Sequence, residues 1–410
     1  MAKTYEYKAK DRSGQLHTGS ILADSETAVA LHCREKGYFV LQIKEQGRPG
    51  GTLGAIADSL QTVKTKDLAV VCRQFATMVD AGLSLVACLS VLIDQTANPR
   101  IKAALQSVYK KVKEGETFSS ALAEHPRVFP TIMVNMVEAG EVGGVLDDVL
   151  SRLATHFEKE HKLNEKVKSA MTYPAVVITM AILCVVFILT FVMPTFLSLF
   201  AGMKVELPWP TRLLLAVSDF LKNYWWLVLL ELSCLLIALK VAYTKESTRK
   251  QLDQLILRLP IVGPLTRKIA IARFSRTLST LVRGGVPIIT ALDVVKRTIG
   301  NLSMMDALTQ AQTSVQEGVG LASTLSTSKI FTPMVIHMVA IGEESGALDK
   351  MLEKVADFYE SEVEDTVSRL SSIMEPVIVG ILGVAIGFIV ISVMLPLFDV
   401  ITNFGGTNTL

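Results

Sequence analysis

The sequence predicts a mainly α membrane protein: two repeated cytoplasmic helical bundles, three transmembrane helices and a small N-terminal ββαβ-like unit. Three observations carry this. Half of the 410 residues are hydrophobic and the mean hydropathy is +0.42, high for a chain that only fills a soluble core. Uncharged apolar runs occur at 174–193 and 376–398. And "RQFATMVDAGLSLVACLSVL", from Arg73, returns as "RTLSTLVRGGVPIITALDVV", from Arg276.

Residues 1–46 form the N-terminal unit. "TYEYKAKD" and "QLHTGSILA" alternate in polarity on either side of the turn "RSG", which predicts two paired strands. "DSETAVALHCREKG" reads as a helix, with Asp24 or Ser25 as N-cap and Gly37 past its end, and "YFVLQI" as a last strand. The polar start has no apolar signal core. Residues 47–62, with "GRPGGTLG", read as a linker.

The bundles occupy 63–172 and 244–373. In each, a first helix ends at Gly82 or Gly285 in a tight turn, and Gly115 or Gly318 follows a third helix as C-cap. Pro126 and Pro130 punctuate the loop before "TIMVNMVEA". The last helix begins near Leu146 or Leu348 and runs toward the membrane. Phe75, Met78, Val79, Leu83, Leu85 and Leu89 supply an apolar face that must be packed. The recurrence carries Gly82 to Gly285 and Leu89 to Leu292. After a one-residue deletion near 330 it carries Phe129 to Phe331, Gly140 to Gly342, Glu141 to Glu343, Pro174 to Pro376 and Pro194 to Pro396. The repeated unit is therefore a bundle plus the membrane segment behind it.

Three spans follow, at 173–199, 224–243 and 374–398, each near the roughly 20 residues that a bilayer requires. The middle one, "YWWLVLLELSCLLIAL", opens on Tyr224, Trp225 and Trp226 and is closed by Lys240. Two like-oriented units need one such additional crossing. Basic residues crowd the ends at Arg152, Lys159, Lys162, Lys166 and Lys168, and again at Lys240, Lys245, Arg249, Lys250 and Arg258. The loop 200–223 has Lys204, Arg212 and Lys222, and the tail 399–410 has no basic residue. The N-terminus and 245–372 are thus placed in the cytoplasm, and the loop and tail face outward.

"GEVGGVLDDVL", from Gly140, and "GEESGALDKML", from Gly342, mark a junction present twice. Gly140 and Gly144, like Gly342 and Gly346, allow a turn between packed helices. Glu141 and Glu343 are placed ahead of the last helix, near its positive end, with Asp147 and Asp148 extending the acidic turn. Contact with a partner surface, or a cation held by Glu138, Glu141 and Asp148, are the alternatives. Tyr173, Pro174, Glu375 and Pro376 mark where the outer spans begin. Glu231 lies inside the middle span, where a carboxyl is costly; protonation, or a bond to a neighbouring helix, is the expected remedy. Gly383 and Gly387 form GxxxG, which favours close helix packing.

Signatures of chemistry are missing. "GPLTRK" lacks the glycine-lysine pair of a phosphate loop. His156 and His161 in "HFEKEH" are spaced so that they point to different helix faces, and the segment reads as a solvated charged helix. No catalytic, cofactor or metal site is expected. The net charge of +2 gives no basic excess for nucleic acid. Five scattered cysteines, 33, 72, 88, 184 and 234, without CxxC, read as reduced thiols.

Taken with "YEYKAKDRSGQLHTGSILADS", "CREKGYFVLQI", the paired "VDAGLSL" and "RGGVPI", "MTYP" and "MEPV" before the outer spans, and "LPWPTR", these marks resemble the inner-membrane platform proteins of type IV pilus and type II secretion machines. The resemblance covers nearly the whole chain. It implies a non-enzymatic, self-associating scaffold in the inner membrane of bacteria. Its implied partners are a hexameric assembly ATPase, pilins or pseudopilins, and other inner-membrane assembly proteins. A small transporter with duplicated units is the alternative. Transporter repeats lie mostly within the bilayer, however, and these do not.

Overall fold

The computed structural model describes residues 3–10, 16–23, 28, 34, 39–45, 62–195, 208–244, 246–260, 262–328 and 330–405. In the N-terminal unit, β1 (Lys3–Lys10), β2 (Leu16–Ala23) and β3 (Phe39–Glu45) form an antiparallel sheet ordered β2-β1-β3. Lys3 stands opposite Ala23, and Tyr5 opposite Glu45, with an irregularity at Lys8/Ala9. The helix expected between β2 and β3, and the linker, lie outside the described residues but for single positions.

The first bundle is α1 (Thr65–Asp80), α2 (Leu85–Gln95), α3 (Pro99–Lys113), α4 (Phe118–Ala123), α5 (Thr131–Gly143) and α6 (Leu146–Phe187). After α7 (Trp209–Thr244) and α8 (Glu246–Arg258) the plan returns. It comprises α9 (Val262–Arg283), α10 (Ile288–Ile299), α11 (Leu302–Gln316), α12 (Leu321–Ser326), α13 (Pro333–Ser345) and α14 (Leu348–Gly405). Their cores agree residue by residue: Phe75 and Leu278, Leu89 and Leu292, Phe129 and Phe331 are all buried. Each such side chain contributes about 1.5–3 kcal/mol. Phe75 meets Phe118 edge-on at 5.3 Å, and Phe274 meets Phe331 at 5.0 Å. Of the apolar face read from the sequence, Leu83 departs: it follows the turn and is 41% exposed.

Two further differences concern the membrane segments. First, 200–223 is not a loop throughout. It is helical from Trp209, because Leu214, Ser218 and Leu221 repeat at helical spacing and Leu214 is buried. A non-helical Tyr224 (φ −123, ψ 21) kinks α7 where the span was expected to begin. Second, Gly383 and Gly387 face open space, so among the described residues GxxxG packs against no helix. Leu146–Thr195 and Leu348–Pro396 are long and apolar enough to cross a membrane. Pro174 and Pro376 fall inside these helices. Bundle and span are thus one continuous rod in each repeat.

Candidate functional site

The doubled junction joins α5 to α6 and α13 to α14. Gly144 (φ +66) and Gly346 (φ +67) take the left-handed conformation that ends a helix. Val145 N–H donates to Gly140 C=O, and Ala347 N–H to Gly342 C=O, both at 3.0 Å. Gly140 and Gly342 have a different task. A Cβ on Gly140 would stand 3.0 Å from Val149 Cγ2; on Gly342, 2.8 Å from Leu348 Cα. The two helices touch through these glycines. Gly82 and Gly285 (φ +82 and +80) close the turns after α1 and α9.

Glu141 and Glu343 do something the sequence reading did not foresee. They lie in the last turns of α5 and α13, a few residues before the last helix, but each carboxylate receives two backbone amides from a short helix upstream. Glu141 accepts from Phe118 N–H (2.6 Å) and Ser119 N–H (2.9 Å). Glu343 accepts from Leu321 N–H (2.6 Å) and Ala322 N–H (2.9 Å). These amides have no partner inside their own helix, and the negative charge sits at its positive end. Both Glu141 oxygens are so occupied, and among the described residues no group of three or more acidic, histidine or cysteine side chains could hold a metal. The capping role replaces the cation reading of Glu138, Glu141 and Asp148. Glu343→Ala is expected to lower stability by about 2–3 kcal/mol, since two partly buried charge-assisted bonds vanish together. Glu343→Gln, which keeps one acceptor, loses less. Urea unfolding of the purified chain in detergent measures both.

The repeats meet along α6, α9 and α14. Arg276 binds Glu360 (2.8 Å) and Asp357 (2.5 Å), and Lys159 reaches across from the first repeat to the same two carboxylates (3.5 Å each). Lys166 pairs with Glu364, and Arg273 donates to Asn164 Oδ1 at 2.7 Å. Leu163 packs on Val363 and Val367 below them. The counterpart of Arg276–Glu360 is Arg73–Glu158 (2.7 Å), which is solvated. "HFEKEH" is therefore no solvated helix on every side. His156 is 3% exposed and lies 3.5 Å from Thr280 of α9.

Burial, with the charge of Arg276 second, pulls the His156 pKa down to about 4. A folded-state pKa below the unfolded value of about 6.5 means that unfolding takes up a proton. The stability held by neutral His156 is complete above pH 6.5 and is lost as pH falls from 6.5 toward 4. Melting temperatures at pH 7 and pH 5 should differ more for the native chain than for His156→Phe; equal differences would refute the assignment.

At the membrane end, Leu189, Met193, Leu214 and Ile389 form a common cluster of α6, α7 and α14. Here the repeated prolines act through what they lack. The end of α6 widens to a π-turn at Ile188–Val192, so Met193 N–H goes to Ile188 C=O. Leu189 C=O then needs residue 194, which is proline and has no N–H. Ser218 of α7 donates to it instead. Pro396 likewise deprives Ser392 C=O, and Thr211 of α7 donates there. The first turns of α7 thus serve both orphaned carbonyls. The double variant Thr211→Val, Ser218→Ala should cost about 1–3 kcal/mol, read as a lower detergent melting temperature. A change within error would mean the carbonyls find other donors.

The remaining predicted residues are not gathered into a site. Glu231 is exposed on α7, and Tyr173, Glu375 and Pro376 are exposed at the membrane approach. Pro174 is buried, lining an apolar cavity of about 20 Å³ with Val167, Ala170, Met171 and Met374.

A duplicated helical bundle whose last helix passes unbroken into an apolar span defines a class of membrane protein with two like halves. Models of the family "Type II secretion system (T2SS), protein F" match residues 71–194 and 274–396, and the model of that protein's N-terminal domain matches 1–44. The chain belongs to this family. It is similar to the type IV pilus assembly protein PilC of Thermus thermophilus, 43% identical over 97% of this chain and 98% of that one. The PilC of Myxococcus xanthus is 39% identical over 96% and 94%. The type II secretion system protein F of Vibrio cholerae is 34% identical over 96% and 98%.

Proposed function

We propose that the protein is a non-enzymatic inner-membrane platform of a type IV pilus or type II secretion machine. It couples a hexameric cytoplasmic ATPase to insertion of pilins or pseudopilins into a filament, and it works as a self-associated assembly beside other inner-membrane components. One observation carries the reading. In each repeat the helix that leaves the acidic glycine junction is the helix that enters the apolar span, 42 residues long in α6 and 58 in α14. A force applied to either bundle has a stiff path into the bilayer. The relatives' names, pilus assembly in some and secretion in others, support the setting.

In this reading α7 from about 224 is the third crossing. Both bundles share the cytoplasm, and 200–223 and 399–410 face outward. Single cysteines replacing Lys110 and Ser326, one exposed position in each bundle, should label from the same side of the membrane; opposite sides would end the reading. The full-length chain, extracted from its membrane, should bring the assembly ATPase with it, and its deletion should abolish filaments or secretion. A deletion that spared both while impairing solute uptake would favour a transporter.

A further inference from the structure

The contact between the repeats is made of unlike surfaces. At the bundles the first repeat contributes α5 and α6 and the second contributes α9, while further along α6 meets α14. Each surface has a counterpart in the other repeat, and both counterparts are more exposed. Met136, Ala139 and His156 on α5–α6 correspond to Met338, Ile341 and Phe358 on α13–α14. Met136 is fully buried and His156 nearly so, whereas Ile341 is 51% and Phe358 45% exposed. Arg273, Thr277 and Thr280 on α9, with Gly284 just past its end, correspond to Val70, Gln74 and Thr77 on α1, with Ala81 just past its end, a straight stripe. Thr277 is 1% exposed and its counterpart Gln74 is half-buried; Arg273 is half-buried and its counterpart Val70 is 47% exposed. Val286 is buried, and its counterpart Leu83 is not. Two clefts remain at this contact, about 10 Å³ beside His156 and Glu160 and about 210 Å³ beside His156, Thr280 and Arg283. Beside Phe358 and Glu362 a groove of about 350 Å³ stays open.

We infer that a second copy of this chain fills the vacancy: α1 of one molecule docks on α13–α14 of the next, as α9 docks on α5–α6 within each molecule. The observed contacts translate directly. Thr280 against His156 becomes Thr77 against Phe358, a methyl on an aromatic ring. Gly284 against Met136, 3.1 Å from a Cβ to Met136 Cε, becomes Ala81 against Met338. Along the long helices, Leu163 against Val363 becomes Asp365 against His161, and Lys166 against Glu364 becomes Lys162 against Ser368. No like charges are set face to face in these pairs. Because the two surfaces differ, the contact is head-to-tail, and every copy keeps one free face of each kind until a ring closes. The occupant follows from continuity with an interface already present in the chain, not from exposure alone.

This deepens the self-association in the platform reading and rests on that reading only for the shared membrane. It is tested in the full-length chain in its native membrane, with Cys33, Cys184 and Cys234 replaced by Ala and the buried Cys72 and Cys88 kept. Two differently tagged variants are co-expressed, Thr77→Cys and Phe358→Cys, and mildly oxidised. Disulfide-linked dimers carrying both tags are expected only in the mixture, and a ladder of higher species when one chain carries both cysteines. Thr280→Cys with His156→Cys, expected to link within one chain, is the control for geometry. Dimers from either single variant alone would show a two-fold contact and overturn the proposal. So would no dimer in the mixture, leaving these faces to another occupant such as residues 1–46. Co-purification of the ATPase, measured separately, decides the platform reading whatever this result.

Discussion

Arg276→Ala is expected to destabilise the chain by about 3–5 kcal/mol, while Arg73→Ala, its counterpart, costs about 1 kcal/mol or less. The pairs have the same chemistry and similar lengths, 2.8 Å and 2.7 Å. They differ in solvent. The Arg276 and Glu360 side chains are 12% and 15% exposed, those of Arg73 and Glu158 42% and 46%. An exposed pair gains little from attraction in high dielectric and loses side-chain entropy. Removing one partner of a buried pair leaves the other charge stranded. Here the stranded group is Glu360, with Asp357 short of its strongest partner and Lys159 alone to compensate. Arg276→Met paired with Glu360→Leu, which removes both charges and keeps the volume, should recover much of the loss. Denaturant unfolding of the variants in one detergent checks this. Equal losses at Arg73 and Arg276 would show that the contact between the repeats adds nothing to its internal ion pair.

That contrast also shows where sequence reading stops. The bundles, their turns and the last helices were legible because their signals are local: helical spacing, glycines past helix ends, long uncharged runs, and the recurrence of all three. Glu141 and Glu343 were legible as recurring between the repeats and as capping acids, but not as caps of α4 and α12, because the amides they receive lie a helix away and no periodicity connects them. His156 was misread for a related reason. A charged helix face looks the same in sequence whether it meets water or an oppositely charged neighbour. The signal was nonetheless there, since α6 carries Lys159 and Lys166 where α14 carries Asp357, Glu360 and Glu364. Pro194 and Pro396 were seen as a pair, and the carbonyls they orphan follow from the covalent structure. That Ser218 and Thr211 would supply the donors does not, since it depends on how α7 folds back. Its first half was read as loop because the aromatic cluster at Tyr224 marks a kink as readily as a beginning.

The junction glycines allow a graded test. Gly342→Ala should cost about 3 kcal/mol, Gly140→Ala about 1–2 kcal/mol, and Gly346→Ala about 1 kcal/mol. At Gly342 the added methyl meets Leu348 Cα at 2.8 Å. That atom is backbone at the second helix's first residue, so α13 and α14 must separate, and overpacking of this kind costs 1–3 kcal/mol or more. At Gly140 the nearest atom is Val149 Cγ2, 3.0 Å away, at the end of a side chain that gives way more easily. At Gly346 there is no obstruction, and the cost is the left-handed backbone itself, φ +67, about 1 kcal/mol for a residue with a Cβ. The order 342, then 140, then 346 follows from which kind of atom is struck, and melting temperatures of the three variants read it directly. If Gly342→Ala were the mildest, the helices would not be in contact there. The junction would then be a flexible link, and a bundle could turn without moving its membrane helix.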